Sequence, residues 1–164
     1  MLKTTKQWAG LLLLCAFSST TWAAAQAGQR FGDWGVQCEA SPDNKQLCYL
    51  QQVLSEKGKK QPLMVTVLGY GQGKQFPTAI FELPKGIDIK KGVQLKVDNN
   101  PPVGFGGVCN AQGCRAGFTL DNKMFQQLTH GKRALLAYRP APNKEPVIFP
   151  VSLNGLQNGL KAVK

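Results

Sequence analysis

Hydrophobic residues occur along this chain in short runs, rich in β-branched and aromatic side chains and often alternating with polar ones, separated by clusters of Gly, Pro, Asn and Lys. That rhythm predicts strands at Gly32 to Cys38, Leu47 to Leu54, Leu63 to Leu68, Thr78 to Leu83, Val93 to Val97, Gly117 to Leu120, Ala134 to Tyr138 and Val147 to Leu153. Two stretches change to helical spacing. Asp121 can cap a helix over Asn122 to Thr129, with Met124, Phe125 and Leu128 on one face and Gly131 placed to end it. Leu153, Leu156 and Leu160, following Ser152, predict a second short helix against the resistance of Gly155 and Gly159. The expected class is all-β: a single-domain β-sandwich or barrel with one or two short helices laid over its core, the Met and Phe side chains belonging to that core.

The first 25 or so residues follow another plan. Lys3 and Lys6 precede an apolar run from Trp8 to Phe17, and small residues follow, which is the layout of a cleavable secretory signal with cut points after Ala23, Ala25 or Ala27. The run is about ten residues long, whereas a membrane-crossing helix needs roughly 20. Cys15 follows Leu14, where lipoprotein processing requires a small residue, so it leaves with the signal. The expectation is a signal peptide over 1–25, one soluble domain over 29–164 and no transmembrane span. The location is the periplasm, with outer-membrane association or secretion as variants.

Four cysteines remain: Cys38, Cys48, Cys109 and Cys114. An oxidising destination pairs thiols by default, and four allow three connectivities. Local pairing is favoured, because Cys38 and Cys48 bracket the turn-forming Ser41-Pro42-Asp43-Asn44 while Cys109 and Cys114 bracket Asn110-Ala111-Gln112-Gly113. Each short loop predicts about 2–3 kcal/mol of stabilisation in the chain-entropy model. A zinc site is disfavoured by the wide C-x9-C and C-x4-C spacings and a lone histidine, His130. A redox C-x-x-C is absent.

Catalytic groups are scarce. His130 falls where a helix should end, a position suited to bonding the last carbonyls. The nine acids are scattered, and no spacing recommends a paired-carboxylate hydrolase. Gly69 to Lys74 fails as a phosphate loop, because Leu68 holds the first glycine position and Gln75 follows the lysine. Gly104-Phe105-Gly106-Gly107 fails as a dinucleotide fingerprint, because Cys109 holds the third glycine position, and it reads instead as a bulge or close strand approach. No catalytic residue, metal or cofactor is assigned.

Charge says more about partners. Without Lys3 and Lys6, 18 basic residues face 9 acids, a formal charge of +9. Lysines dominate, with Lys57, Lys59 and Lys60 in a hairpin loop and Lys90 and Lys91 ahead of a strand. They can keep a β domain soluble and blunt its edges, or attract it to an anionic surface such as outer-membrane lipid, cell-wall polymer or host glycan. Nucleic acid is excluded as a partner by export and by the presence of only four arginines.

The segment Phe31-Gly32-Asp33-Trp34, then Cys38-Glu39 and Cys48-Tyr49-Leu50-Gln51-Gln52, resembles the opening of the invasion-associated locus B family of exported bacterial proteins. The likeness continues through Leu83 to Ile87, Gly92 to Asp98, Cys109 to Cys114 and Pro150 to Leu156. It implies a β-rich periplasmic or envelope-associated domain, linked in some pathogens to host-cell entry, with no established catalytic residues. Within the motif, Trp34 is expected in the core and Asp33 in a local hydrogen bond. The leading expectation is a non-enzymatic binding protein whose partner is an anionic envelope or host-surface component. The rivals are a small envelope-polymer hydrolase or accessory factor, and an assembly or chaperone partner that meets an envelope protein through an exposed strand edge.

Overall fold

Thirteen short elements carry the described chain: β1 (Arg30–Phe31), β2 (Trp34–Ala40), β3 (Gln46–Leu54), β4 (Met64–Gly69), β5 (Thr78–Leu83), β6 (Val93–Val97), β7 (Val103–Phe105), β8 (Gly107–Cys109), β9 (Cys114–Thr119), α1 (Asn122–His130), β10 (Ala134–Tyr138), β11 (Val147–Val151) and α2 (Leu156–Ala162). The structure, a computed structural model, describes residues 25–41, 45–87, 89, 92–141 and 143–164. The signal segment before Ala25, the tip Pro42-Asp43-Asn44 of the first cysteine loop, and Lys90 and Lys91 lie outside the described residues.

The strands form two antiparallel sheets, one of seven strands in the order β1-β2-β3-β4-β5-β9-β8 and one of four in the order β11-β10-β6-β7. The all-β class with two short helices is the one the strand rhythm predicts. Alternation explains the small sheet directly: on β6, Val93, Leu95 and Val97 are buried while Gln94 and Lys96 are exposed. β7 and β8 are separated only by Gly106, so one extended run leaves the small sheet and joins the large one, turning a corner between layers. Gly117 N–H donates to Gly106 O at 3.3 Å across that corner.

Three strands exceed the sequence expectation. β1, β7 and β8 have two or three residues each, too few for alternation to register. β9 begins at Cys114, ahead of the expected Gly117, because its Arg115-Ala116-Gly117 lacks the bulky apolar residues that announce a strand. The edge strands β1 and β8 protect the large sheet by being short.

Both helices form. Asp121 caps α1 by accepting from Met124 N–H at 2.7 Å, and Gly131 N–H donates to Gln127 O at 2.8 Å beyond its end. Met124 and Leu128 of α1 and Leu156 and Leu160 of α2 join Trp34, Phe81, Leu95 and Leu136 in one core cluster shared by the two sheets.

Candidate functional site

The resemblance-bearing residues at the two ends of the domain meet. Trp34 is fully buried at the start of β2, and its indole Nε1–H donates to Ser152 O at 3.0 Å. Gln52, buried on β3, completes the contact as a side-chain amide standing in for a strand: its Oε1 accepts from Ser152 N–H at 2.9 Å and its Nε2 donates to Ser152 O at 3.3 Å. Ser152 Oγ donates to Asp33 Oδ2 at 2.6 Å, and Asp33 N–H donates to Asn154 O at 3.3 Å. Asp33 is thus bonded across the fold, not locally as expected, because the turn at Gly32-Asp33 faces the chain leaving β11. Gly32 (φ 57) and Gly155 (φ 82) make the approach possible, since a Cβ at the first would strike Asn154 and at the second would strike Phe31. The Phe31 to Trp34 motif is therefore a structural clamp, and Trp34 is no stacking platform for a ligand.

The disulfides join residues directly opposite each other on neighbouring strands: Cys38 with Cys48 on β2 and β3, Cys109 with Cys114 on β8 and β9. Asn110 closes the second loop, its Oδ1 accepting from the N–H groups of Gln112 and Gly113 at 2.9 and 3.1 Å. His130 is also structural. Its Nδ1 lies 3.1 Å from Gln126 O in the last turn of α1, and its Nε2 lies 3.3 Å from Gln157 Nε2 on α2, so the ring ties the helices together. Asp98, at the end of β6, accepts from the backbone N–H groups of Lys132 and Arg133 ahead of β10.

A groove of about 530 Å³ lies on the outer face of the seven-stranded sheet. Its floor is Val67, Gly69 and Ile80, with Leu47, Tyr49 and Tyr70 along it. Three charged groups line it: Glu39, Glu82 and Arg115. Arg115 Nη2 pairs with Glu82 Oε1 at 2.5 Å, and Tyr49 OH donates to Glu39 Oε1 at 2.6 Å. The register sets Glu39 beside Leu47 and Glu82 beside Val65, three strands and six residue steps apart. That is about 14 Å across the strands and about 20 Å along them. Each carboxylate is engaged, Glu39 by the Tyr49 hydroxyl and Glu82 by Arg115. Among the described residues no group of three His, Cys, Asp or Glu side chains could hold a metal.

The chain's three tyrosines report on this packing. Tyr49 is pushed above the ordinary phenol value first by its hydrogen bond to Glu39, then by burial and the charges of Glu39 and Glu82; Tyr70 and Tyr138 are pushed up by burial. The folded protein thus keeps phenol protons that the unfolded chain releases. This stabilisation is whole below the unfolded value near pH 10 and fades as pH rises through the folded values. In an alkaline absorbance titration the native protein should ionise its tyrosines later than the urea-unfolded chain, and Glu39→Gln should bring one of the three back down. Coincident native and unfolded curves would refute this placement.

Lys57, Lys59 and Lys60 are all exposed in the β3–β4 loop, and the structure gives none of the three ammonium groups a carboxylate partner among the described residues. Lys85, just after β5, lies at the same end of the sheet, since Leu83 and Met64 are neighbours in register around Glu82 and Val65. The sequence singled out these hairpin lysines but missed the groove, which mixes apolar and paired charged residues from five strands. The available signal was the run of apolar residues on both faces of β4.

A family model described as Invasion associated locus B (IalB) protein matches residues 34–164. This chain belongs to the IalB family. Two Brucella abortus relatives, each named an invasion protein B homolog, from strain 2308 and from biovar 1 strain 9-941, are 27% identical to it over 154 residues, covering 92% of this chain and 87% of theirs. The crystal structure of invasion associated protein b from Bartonella henselae superimposes with a TM-score of 0.70 at 23% identity, covering 82% of this chain and 94% of that one. It is the fold that this likeness shows. The IalB match takes in Trp34, the four disulfide cysteines and the closing Ser152-Leu153-Asn154-Gly155, so the clamp's hydrogen bonds from Trp34 and Gln52 to Ser152 fall within it.

Proposed function

We propose that this IalB chain is an exported, non-enzymatic binding protein that works at an anionic surface of the cell envelope or of a host cell. The observation that carries the reading is the placement of its positive charge: Lys57, Lys59 and Lys60 stand together in one exposed loop without carboxylate partners among the described residues, on a chain whose formal charge is +9 without Lys3 and Lys6. Clustered ammonium groups of this kind contribute about 1 kcal/mol each at an anionic leaflet. The names of the Brucella and Bartonella relatives support a role in invasion. The signal-like first 25 residues support export to the periplasm, and no helix among the described residues is long and apolar enough to cross a membrane.

The test is co-sedimentation of the oxidised mature protein with vesicles containing phosphatidylglycerol. Binding is expected at about 20 mM salt and should be largely lost at about 0.5 M, as screening dictates. Changing Lys57, Lys59 and Lys60 together to Gln should weaken binding roughly a hundredfold. Absence of binding at low salt, or a triple variant that binds unchanged, would overturn the reading.

A further inference from the structure

The outer face of the seven-stranded sheet departs from two habits of solvent-facing strands. An antiparallel sheet with one wet face alternates apolar and polar residues, and strands apolar on both sides belong to sheets covered on both. β6 obeys the first rule. β4 follows the second: inward Met64 and Leu68 are buried, yet its outward positions hold Val65 and Val67, and beside them Ile80 is the apolar one of β5's outward Thr78, Ile80 and Glu82. Val53 continues the outward apolar surface at 53% exposure, while Leu47 (45%) stands opposite Glu39 and Val108 (75%) lies beyond the Glu82–Arg115 pair. The second departure concerns lysine. None of the sixteen lysines stands on any strand of this sheet, although lysine is a common guard against unwanted sheet contacts.

Six of them stand instead beyond the ends of its strands. Lys57, Lys59, Lys60 and Lys85 lie in connections at one end; at the other are Lys74, between β4 and β5, and Lys164, whose ammonium sits 5.8 Å from the centre of the Tyr70 ring. An apolar centre between charged margins is the anatomy of a protein interface, with its dry core and polar rim. We infer that this face docks a protein whose contact surface is apolar at the centre and acidic at the margins. A second copy of this chain is the wrong occupant, because it would bring lysine-bearing loops against lysine-bearing loops, and like charges across an interface cost several kcal/mol. A polysaccharide is also a poor match. The floor is aliphatic, while Tyr49, Glu39, Glu82 and Arg115 are engaged with one another. Five strands by six residues span about 19 by 20 Å, or about 400 Å². That is about half of the roughly 800 Å² per partner of an ordinary interface, and the loops at both ends add to it.

The experiment places a photoreactive benzoylphenylalanine at Val67, on the face, or at Gln94, exposed on the outer side of the small sheet, in the full chain inside the cells that produce it. After irradiation, adducts are mapped by mass spectrometry. The expected result is one discrete protein adduct from Val67 and none from Gln94, attached to a segment flanked by Asp or Glu. It should disappear when Ile80→Glu is added and fall at least fivefold when Lys57, Lys59 and Lys60 become Glu. A chain-to-chain adduct, a glycan or lipid adduct, a partner segment without acidic flanks, equal labelling from Gln94, or no adduct at all would overturn the inference. Intact disulfide mass and an unchanged far-ultraviolet spectrum check the fold of each variant. Ile80→Glu touches no lysine, so its vesicle binding stays intact whichever way the crosslinking falls, and the two readings fail separately.

Discussion

Trp34→Ala should destabilise the protein by about 3–5 kcal/mol, the range for removing a large aromatic from a packed core. The indole is 0% exposed, so the transfer and cavity terms both apply in full. Trp34→Phe separates filling from bonding. It keeps most of the buried surface but removes the N–H that Ser152 O accepts, which predicts a loss of about 1 kcal/mol beyond the change in volume. Urea unfolding of the oxidised protein, followed by far-ultraviolet circular dichroism so that the signal does not depend on the indole, measures both. An alanine variant within 0.5 kcal/mol of the parent would mean that Trp34 lies on the surface, and the clamp would go with it.

Gly155→Ala should be severe for a different reason, and the molecule contains its own control. Gly155 and Gly58 have nearly the same positive φ, 82 and 84, so alanine carries a similar left-handed penalty of about 1–2 kcal/mol at either. At Gly58 nothing lies within 4 Å of the added methyl group, whereas at Gly155 it would collide with the Phe31 backbone. Gly58→Ala should therefore stay near that penalty, and Gly155→Ala should exceed it by at least a further 1–2 kcal/mol, as forced overpacking does. Limited trypsin digestion supplies the spatial check. Loosening the contact at residue 155 should expose the Arg30 bond, far away in sequence, in Gly155→Ala only. Equal stability losses at the two glycines would show that no close contact exists.

These two residues also show how far the sequence could be read. Trp34 was legible as core, since a bulky aromatic beside a cysteine on an alternating strand has few other homes. Its partner was not, because a hydrogen bond to a backbone carbonyl 118 residues away leaves no mark in local pattern. Gly155 and Gly159 read as weaknesses in a helix. In the fold Gly155 is the residue before α2, and Gly159 lets Leu50 press against that helix, where a Cβ would come within 2.7 Å. The long strands, both helices and the turn-bracketed cysteines were legible because each has a period, a cap or a turn of its own. The groove was not: Glu39, Tyr49, Ile80 and Arg115 are ordinary residues whose meaning depends on which strands adjoin, and β9 enters beside β5 only after β6, β7 and β8 have intervened.

The clamp between Asp33-Trp34 and Ser152-Asn154 bears on the timing of folding. β2 through β5 are linked in order by hairpins and can pair as they are made, but the groups that fasten their open flank are supplied near the opposite end of the chain. Synthesis proceeds from one end, as does threading through a pore, so a partly emerged chain holds an unlatched sheet with Trp34 lacking its acceptor. Completion is all but the last event. A nascent chain halted before residue 152 would remain open to proteases and to chaperones, and the cell would have a simple means of telling finished copies from truncated ones.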